Sequence, residues 1–300
     1  DRDVPRRVAV PCQLHIGLAY SRLTLKYPSA SDPETDRGPR RPPGMDPFPT
    51  IVDHASGGTS PDGHCWVFES VDGIPLRATL QSDGQLVVDD GEQSPSNAPV
   101  PPAARPAVRT LRTALDRDAL RAAVDVDSLT LYGVGTCYDR IGYDFDRLPA
   151  FLGTDVRVDG DLISPERAYE GFERIGLTPA PALDRERRAD TLAPDRFAFP
   201  DSAYADSPVA GVRIADKHGW RGVLDNDAVP DPDRPAFADA ADAVASLVTD
   251  SLVSAATGDA VEWVREELAR RHRGDLRAAG IDPSTGAFRS AVANEVGRRQ

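Results

Sequence analysis

The chain has 300 residues, 40% of them apolar, which is enough for a proper core and excludes disorder over the whole length. Its formal charge is -13, from 48 acidic against 35 basic residues, and all of the basic ones except Lys26 and Lys217 are arginine. An acidic chain would ordinarily repel polyphosphate backbones. This Asp-rich, Lys-poor composition, however, resembles that of halophilic proteins from salt-saturated cytoplasm, and at about 1 M salt the screening length falls to roughly 3 Å. Net charge therefore neither supports nor excludes nucleic acid as a partner.

Three cysteines, Cys12, Cys65 and Cys137, are odd in number and outside any C-x-x-C pairing, so they read as reduced buried thiols rather than a disulfide framework or zinc site. No apolar run approaches the roughly 20 residues that span a bilayer, and the first residues lack the basic start and clean apolar stretch of a secretory signal. The expectation is a cytoplasmic protein that does not enter membranes.

Along the chain, residues 1–44 end in the Pro/Arg-rich "DRGPRRPPG" and read as a poorly structured extension, with the only methionine, Met45, opening the folded part. "LTLKYPS" as a genuine first strand is the competing reading. Strands are predicted over 64–69, 76–80 and 85–88, the last two joined through "QSDGQ", whose Asp-Gly is a hairpin turn. Residues 107–124 read as a helix, with Val108, Leu111, Leu115 and Leu120 at helical spacing. "SLTLYGV" at 128–134 and "TDVRV" at 154–158 return to strand. Ser164 as N-cap, Pro165 at the first position and Gly176 as stop then frame a short helix.

A further strand is expected at 210–215. Beyond the loop "VPDPDRPA" the pattern is helical. Phe237, Ala241, Val244, Val248 and Leu252 form one stripe, Asp259 and Glu262 make a capping-box-like start, and Phe288, Val292 and Val296 line a third helix. The expected organisation is a 1–44 extension, a domain over 45–229 and a helical domain over 230–300.

Four segments between about residues 48 and 226 occur in an order that resembles the ATP-dependent RNA ligases, within the covalent nucleotidyltransferase superfamily. "ESVDG" resembles the strand carrying Lys-x-Asp-Gly. Asp72 and Gly73 match, but Ser70 stands where the family's lysine attacks ATP. "LYGVG" resembles the strand ending in Gly-Glu, with Gly133 kept and Val134 in the carboxylate place. "PAFLGTDVRV" resembles the Phe-Asp-Val strand, with Thr154 for the aromatic residue while Asp155 and Val156 match. "VAGVRIADKHGWRGVL" resembles Glu-Gly-Val-Val followed by a second lysine. There Ala210 replaces the glutamate, Gly211 matches, and the lysine falls at Val223 or at Lys217, depending on hairpin length.

The resemblance implies an α+β fold, a nucleotidyltransferase (ATP-grasp-like) domain of antiparallel sheets with flanking helices, plus a C-terminal helical domain. It also implies ATP and Mg²⁺ as cofactors and an RNA 5′ end as acceptor. A free amine is the nucleophile this chemistry requires, so the substitutions point to a degenerate member, a pseudoenzyme that keeps at most nucleotide or RNA-end binding. The residues expected at such a site are Ser70, Asp72, Gly73, Arg77, Asp155 and Gly211.

Two alternatives stand beside this reading. One is an active ligase with Lys217 as displaced catalytic nucleophile, against which "DKHG" reads as a solvated turn. The other is a non-catalytic interaction or structural protein. What discriminates is whether Asp72, Arg77, Asp155 and Lys217 converge on an open polar cleft. Asp144 and Asp146 in "YDFDR" read as a surface turn rather than a metal pair.

Overall fold

Two five-stranded sheets face one another across a cleft, and the path of the chain between them is set by where apolar alternation and glycine allow strands to close up. The computed structural model describes residues 47–55, 59–81, 85–90, 100–116 and 129–300. The expected 1–44 extension, the "LTLKYPS" strand, Met45 and Cys12 lie outside the described residues, as does the tip of the "QSDGQ" turn.

Sheet A has the order β1-β10-β9-β2-β8, with β1 (Val52–Asp53), β2 (His64–Glu69), β8 (Ala182–Arg188), β9 (Gly211–Asp216) and β10 (Arg221–Asp225). All its pairings are antiparallel except β1 on β10. Sheet B is antiparallel throughout in the order β4-β3-β5-β6-β7. Its strands are β3 (Gly73–Leu80), β4 (Leu86–Asp89), β5 (Leu129–Thr136), β6 (Phe151–Val158) and β7 (Asp161–Leu162). The strands expected from alternation are all present. The two edge strands of sheet A, β1 and β8, were not foreseen: "ALDRERR" is charged at five of its seven positions and carries no apolar alternation.

The expected helix over 107–124 is α1 (Arg105–Ala114), reached through a 3-10 turn at Pro102–Ala104. It ends where Leu115 turns extended, and 117–124, with Leu120, lies outside the described residues. Helix α2 (Pro165–Arg174) begins as expected, with the Ser164 side chain accepting from the Arg167 N–H. Leu111 from α1 and Phe172 from α2, both fully buried, cover the outer face of sheet B together with Leu76, Leu131 and Phe151.

The C-terminal helices are α3 (Ala240–Leu247), α4 (Asp250–Ser254), α5 (Ala260–Arg271), α6 (Arg273–Ala278) and α7 (Gly286–Arg299). Phe237, Val244, Val248 and Leu252 of the expected stripe share one apolar core with Phe288, Val292 and Val296, whereas Ala241 is exposed and Ala240 and Ala243 pack there instead. The stripe is not one helix, however: the chain turns extended at Val248, and the Thr249 side chain accepts from Leu252 N–H to start α4 anew. Asp259 caps α5, accepting from the Val261 and Glu262 N–H groups. Glu262 bonds Arg265 and Arg289 instead of reaching back to the cap.

Helix α5 is fastened to sheet B by Arg270. Its buried guanidinium donates to the Thr136 carbonyl (3.1 Å), the Thr136 hydroxyl (3.0 Å) and the Leu148 carbonyl (2.7 Å), and sits 4.9 Å from the Phe145 ring centroid. On the other side Glu266 pairs with Arg105 and Arg109 at the start of α1. No helix among the described residues is long and apolar enough to cross a membrane.

Candidate functional site

Between the sheets lies a cavity of about 220 Å³. Sheet A contributes Glu69 and Ser70 at the end of β2, Arg213 from β9 and Val223 from β10; sheet B contributes Tyr132, Gly133 and Val134 from β5 and Leu152, Thr154 and Asp155 from β6. The incoming segment Phe48–Ile51 forms its remaining wall. Four positions singled out by motif resemblance, Ser70, Val134, Thr154 and Val223, thus meet at one cavity although they lie up to 153 residues apart in the chain.

Close approach of backbones makes this convergence work. A Cβ on Gly73 would sit 2.1 Å from a Val134 methyl and 2.6 Å from the Gly135 carbonyl oxygen, so only glycine lets β3 lie against β5 there. A register shift in the β5–β6 pairing at Tyr132/Gly133 re-aims the residues on either side, as bulges do. Gly211 stands against the Leu224 carbonyl, 2.9 Å from where its Cβ would be, and accepts through its own carbonyl from the Ser70 N–H at 3.0 Å.

The charged groups lining the cavity are already committed. Asp155 is wholly buried. Arg221 Nε donates to its Oδ1 at 2.6 Å, and Arg213 Nη2 donates to its Oδ2. Burial alone would push this carboxyl up, but the two guanidinium groups and the hydrogen bonds from Arg221 and Thr154 outweigh it and hold it below the usual carboxylate range. Arg221 is itself buried and also donates to the Asp216 and Trp220 carbonyls, so the cluster ties β9 and β10 of sheet A to β6 of sheet B. Glu69 turns towards the 202–204 loop, accepting from the Ser202 hydroxyl (2.5 Å) and the Ala203 N–H (2.9 Å). Burial raises its carboxyl despite both bonds.

Ser70 makes no side-chain hydrogen bond among the described residues, and neither lysine nor histidine lines the cavity. The rest of the lining is mainly apolar: Val71, Pro75, Val134, Leu152, Ala180 and Val223.

Of the other residues expected at the site, none lines this cavity. The Asp72 carboxylate is used locally, accepting from the Arg140 N–H (2.6 Å), the Ile141 N–H (3.3 Å) and the Arg140 guanidinium (3.4 Å). Arg77 forks onto Asp89, its direct cross-strand partner on β4, at 3.1 and 2.7 Å. Lys217 lies on the β9–β10 turn, where its ammonium meets Glu186 of β8 at 2.8 Å. That turn is organised by Asp216, which accepts from the His218 and Trp220 N–H groups at 2.8 Å each. Ala210 is buried beside Val71 and Leu152, and Asp144 and Asp146 form an exposed turn in which Asp146 pairs with Arg271. So of Asp72, Arg77, Asp155 and Lys217, Asp155 alone reaches the cavity.

Sequence reasoning missed Arg213, the cation at the cavity and the cross-strand partner of Val223. Its signal was a lone charge inside the otherwise apolar "VAGVRIA".

No family model and no curated protein matches the chain. Among solved structures it is similar to an archaeal ATP-dependent RNA ligase, at 14% identity over 84% of this chain and 62% of that one, with a TM-score of 0.44. It is also similar to Naegleria gruberi RNA ligase with PPi, at 14% identity over 65% of this chain and 63% of that one, with a TM-score of 0.42. A mutant of the Naegleria enzyme with AMP and Mn gives 14%, 62%, 59% and 0.41 for the same quantities. The chain therefore spans about three-fifths of the length of the solved structures it matches.

The residues present do not fit ATP with a divalent ion. Both carboxylates lining the cavity are occupied by hydrogen bonds from the protein, and among the described residues no three His, Cys, Asp or Glu side chains gather as a metal group. The volume also falls below the roughly 300 Å³ at which pockets for drug-sized ligands begin.

Proposed function

We propose that the chain is an RNA-ligase-like protein that has lost covalent nucleotidyl transfer and keeps the cleft as a small, mainly apolar binding or interaction site. The observation that carries this reading is the convergence of Ser70, Val134, Thr154 and Val223 on one cavity, where none of the four supplies an amine, a carboxylate or an aromatic ring. Removing the attacking group of a covalent mechanism costs several orders of magnitude in rate. Ser70 has no base at hand to take over, since Glu69 is engaged with Ser202 and Ala203.

The alternative of an active ligase using Lys217 requires that amine to leave Glu186 and travel from the turn into the cleft. It is disfavoured further because the amine donates a hydrogen bond to the Glu186 carboxylate, which holds it protonated and raises its pKa.

The test is incubation of the full chain with α-labelled ATP and Mg²⁺ or Mn²⁺ in molar KCl, followed by denaturation. The expected result is no retained label while an active ligase run in parallel is labelled. Acid-labile label retained by the unaltered chain and lost in Lys217→Ala would overturn the proposal and move the nucleophile to the turn.

A further inference from the structure

A second cavity, of about 740 Å³, lies between the start of β3, the 3-10 turn Pro102–Ala104, helices α5 and α6 and the connection Gly280–Pro283. That volume is within the roughly 300–1,000 Å³ typical of small-molecule sites. One wall is apolar, formed by Ile74, Pro101, Pro102 and Ile281 among others. From another wall project Arg273 and Arg277, one helical turn apart on α6.

The two arginines are not equally engaged. Arg277 donates to Asp139 at 2.7 Å. Arg273 approaches the same carboxylate only to 3.6 Å and makes no hydrogen bond among the described residues, although two thirds of its side chain is buried. Asp139 is shared further with Arg234 at 3.8 Å, and Arg234 also faces Asp275 at 3.6 Å. Three guanidinium groups and the His272 ring therefore stand against two carboxylates; Arg234 Nη1 is buried without a hydrogen bond, and Arg273, the one of the two that lines the cavity, makes none among the described residues. Two carboxylates also line the cavity. Asp282 is spent on the Ser284 N–H (2.8 Å) and hydroxyl (2.7 Å), and Asp90 enters from the far side, beyond the end of β4.

We propose that this cavity binds a small organic anion, a carboxylate, sulfonate or phosphate carried on an apolar body. Arg273 takes the anion, because its planar fork matches two oxygens at once and, beyond its 3.6 Å approach to Asp139, it makes no hydrogen bond among the described residues. The proline and isoleucine wall takes the apolar body. The negative net charge of the whole molecule does not oppose this in concentrated salt, where only groups within a few ångströms of the anion are felt, about 3 Å at 1 M.

The experiment is titration of anilinonaphthalene sulfonate, a flat apolar anion, into the full chain in molar KCl, read by its fluorescence. One saturable site is expected, weakened by about tenfold or more in Arg273→Gln, since charge-assisted hydrogen bonds are the strong ones. It should be unchanged in Arg196→Gln, a solvent-exposed arginine on another surface turn. Benzoate should displace the probe and neutral benzamide should not. Ile281→Trp, which fills the apolar wall and leaves both arginines in place, should abolish binding and decides the matter if Arg273→Gln does not fold. Absence of a saturable site, equal behaviour of the two arginine variants, unchanged binding in Ile281→Trp, or equal displacement by benzamide would each overturn the proposal.

Discussion

Replacing Arg221 by methionine keeps much of the side chain's volume but removes the guanidinium that joins the two sheets. In the native protein this group is 1% exposed and supplies a hydrogen bond to Asp155 at 2.6 Å and two more to the Asp216 and Trp220 carbonyls at 3.0 and 2.9 Å. Asp155 keeps Arg213, so the carboxylate is not stranded, and the Trp220 carbonyl keeps the Asp216 N–H at 3.1 Å, yet one Asp155 oxygen and the Asp216 carbonyl lose the donor that Arg221 supplies. Breaking a buried ion pair from one side typically costs about 3–5 kcal/mol, and for a folded unit of this size about 2–4 °C of Tm goes with each kcal/mol. The expected fall in Tm is therefore roughly 10 °C.

Urea unfolding of the two proteins at neutral pH measures the difference. Because Asp155 is held below the ordinary carboxylate range in the folded state, its contribution is present above the unfolded-state pKa and is lost as pH falls through the folded value. The gap between wild type and variant should accordingly narrow in acid. A loss under about 1 kcal/mol at neutral pH, or a gap that widens on acidification, would refute the view that this cluster locks sheet A to sheet B.

Glu69 gives the opposite sign. Burial raises its carboxyl, so the stability tied to the protonated form is present below the ordinary glutamate pKa and lost as pH rises through the folded value. Glu69→Gln should flatten the rise in wild-type Tm on going from neutral pH towards pH ~4.5. A variant that keeps the wild-type slope would show that another group titrates. Arg270→Ala removes its hydrogen bonds to the Thr136 and Leu148 carbonyls, each worth about 1–3 kcal/mol when left buried and unpaired, while the Thr136 hydroxyl keeps its bond to the Pro149 carbonyl. Hydrogen exchange should quicken in α5 and along β5. Exchange confined to α7 would mean that α5 is held by its apolar face instead.

Most of the strands were legible because their burial is one-sided or complete, as in "HCWVF" and "LTLYGVG", and the α2 boundaries followed from Ser164, Pro165 and Gly176. The edge strands β1 and β8 of sheet A were not: β1 is two residues long and β8 is charged along its length, so neither carries a pattern that alternation can find. The break at Val248 was hidden because an apolar stripe can continue across two helices that share a core. At the candidate site, motif spacing located Ser70, Val134, Thr154 and Val223, whereas Arg77 and Asp72 could not be told from site residues. Whether a charged side chain faces a cleft or a cross-strand neighbour depends on register, and here Arg77 stands directly opposite Asp89.

The near-absence of lysine gives the molecule an unusual chemical profile towards reagents. Guanidinium groups hold the buried and surface ion pairs and do not react with acylating esters, so among the described residues the Lys217 side chain is the sole primary amine that such a reagent would meet. It is 44% exposed, at the tip of the turn that carries β9 into β10, and the hydrogen bond it donates to the Glu186 carboxylate keeps it protonated and slow to acylate. A dye placed there would sit on the sheet that contributes Ser70, Arg213 and Val223, an optical handle on sheet A that leaves the arginine network untouched.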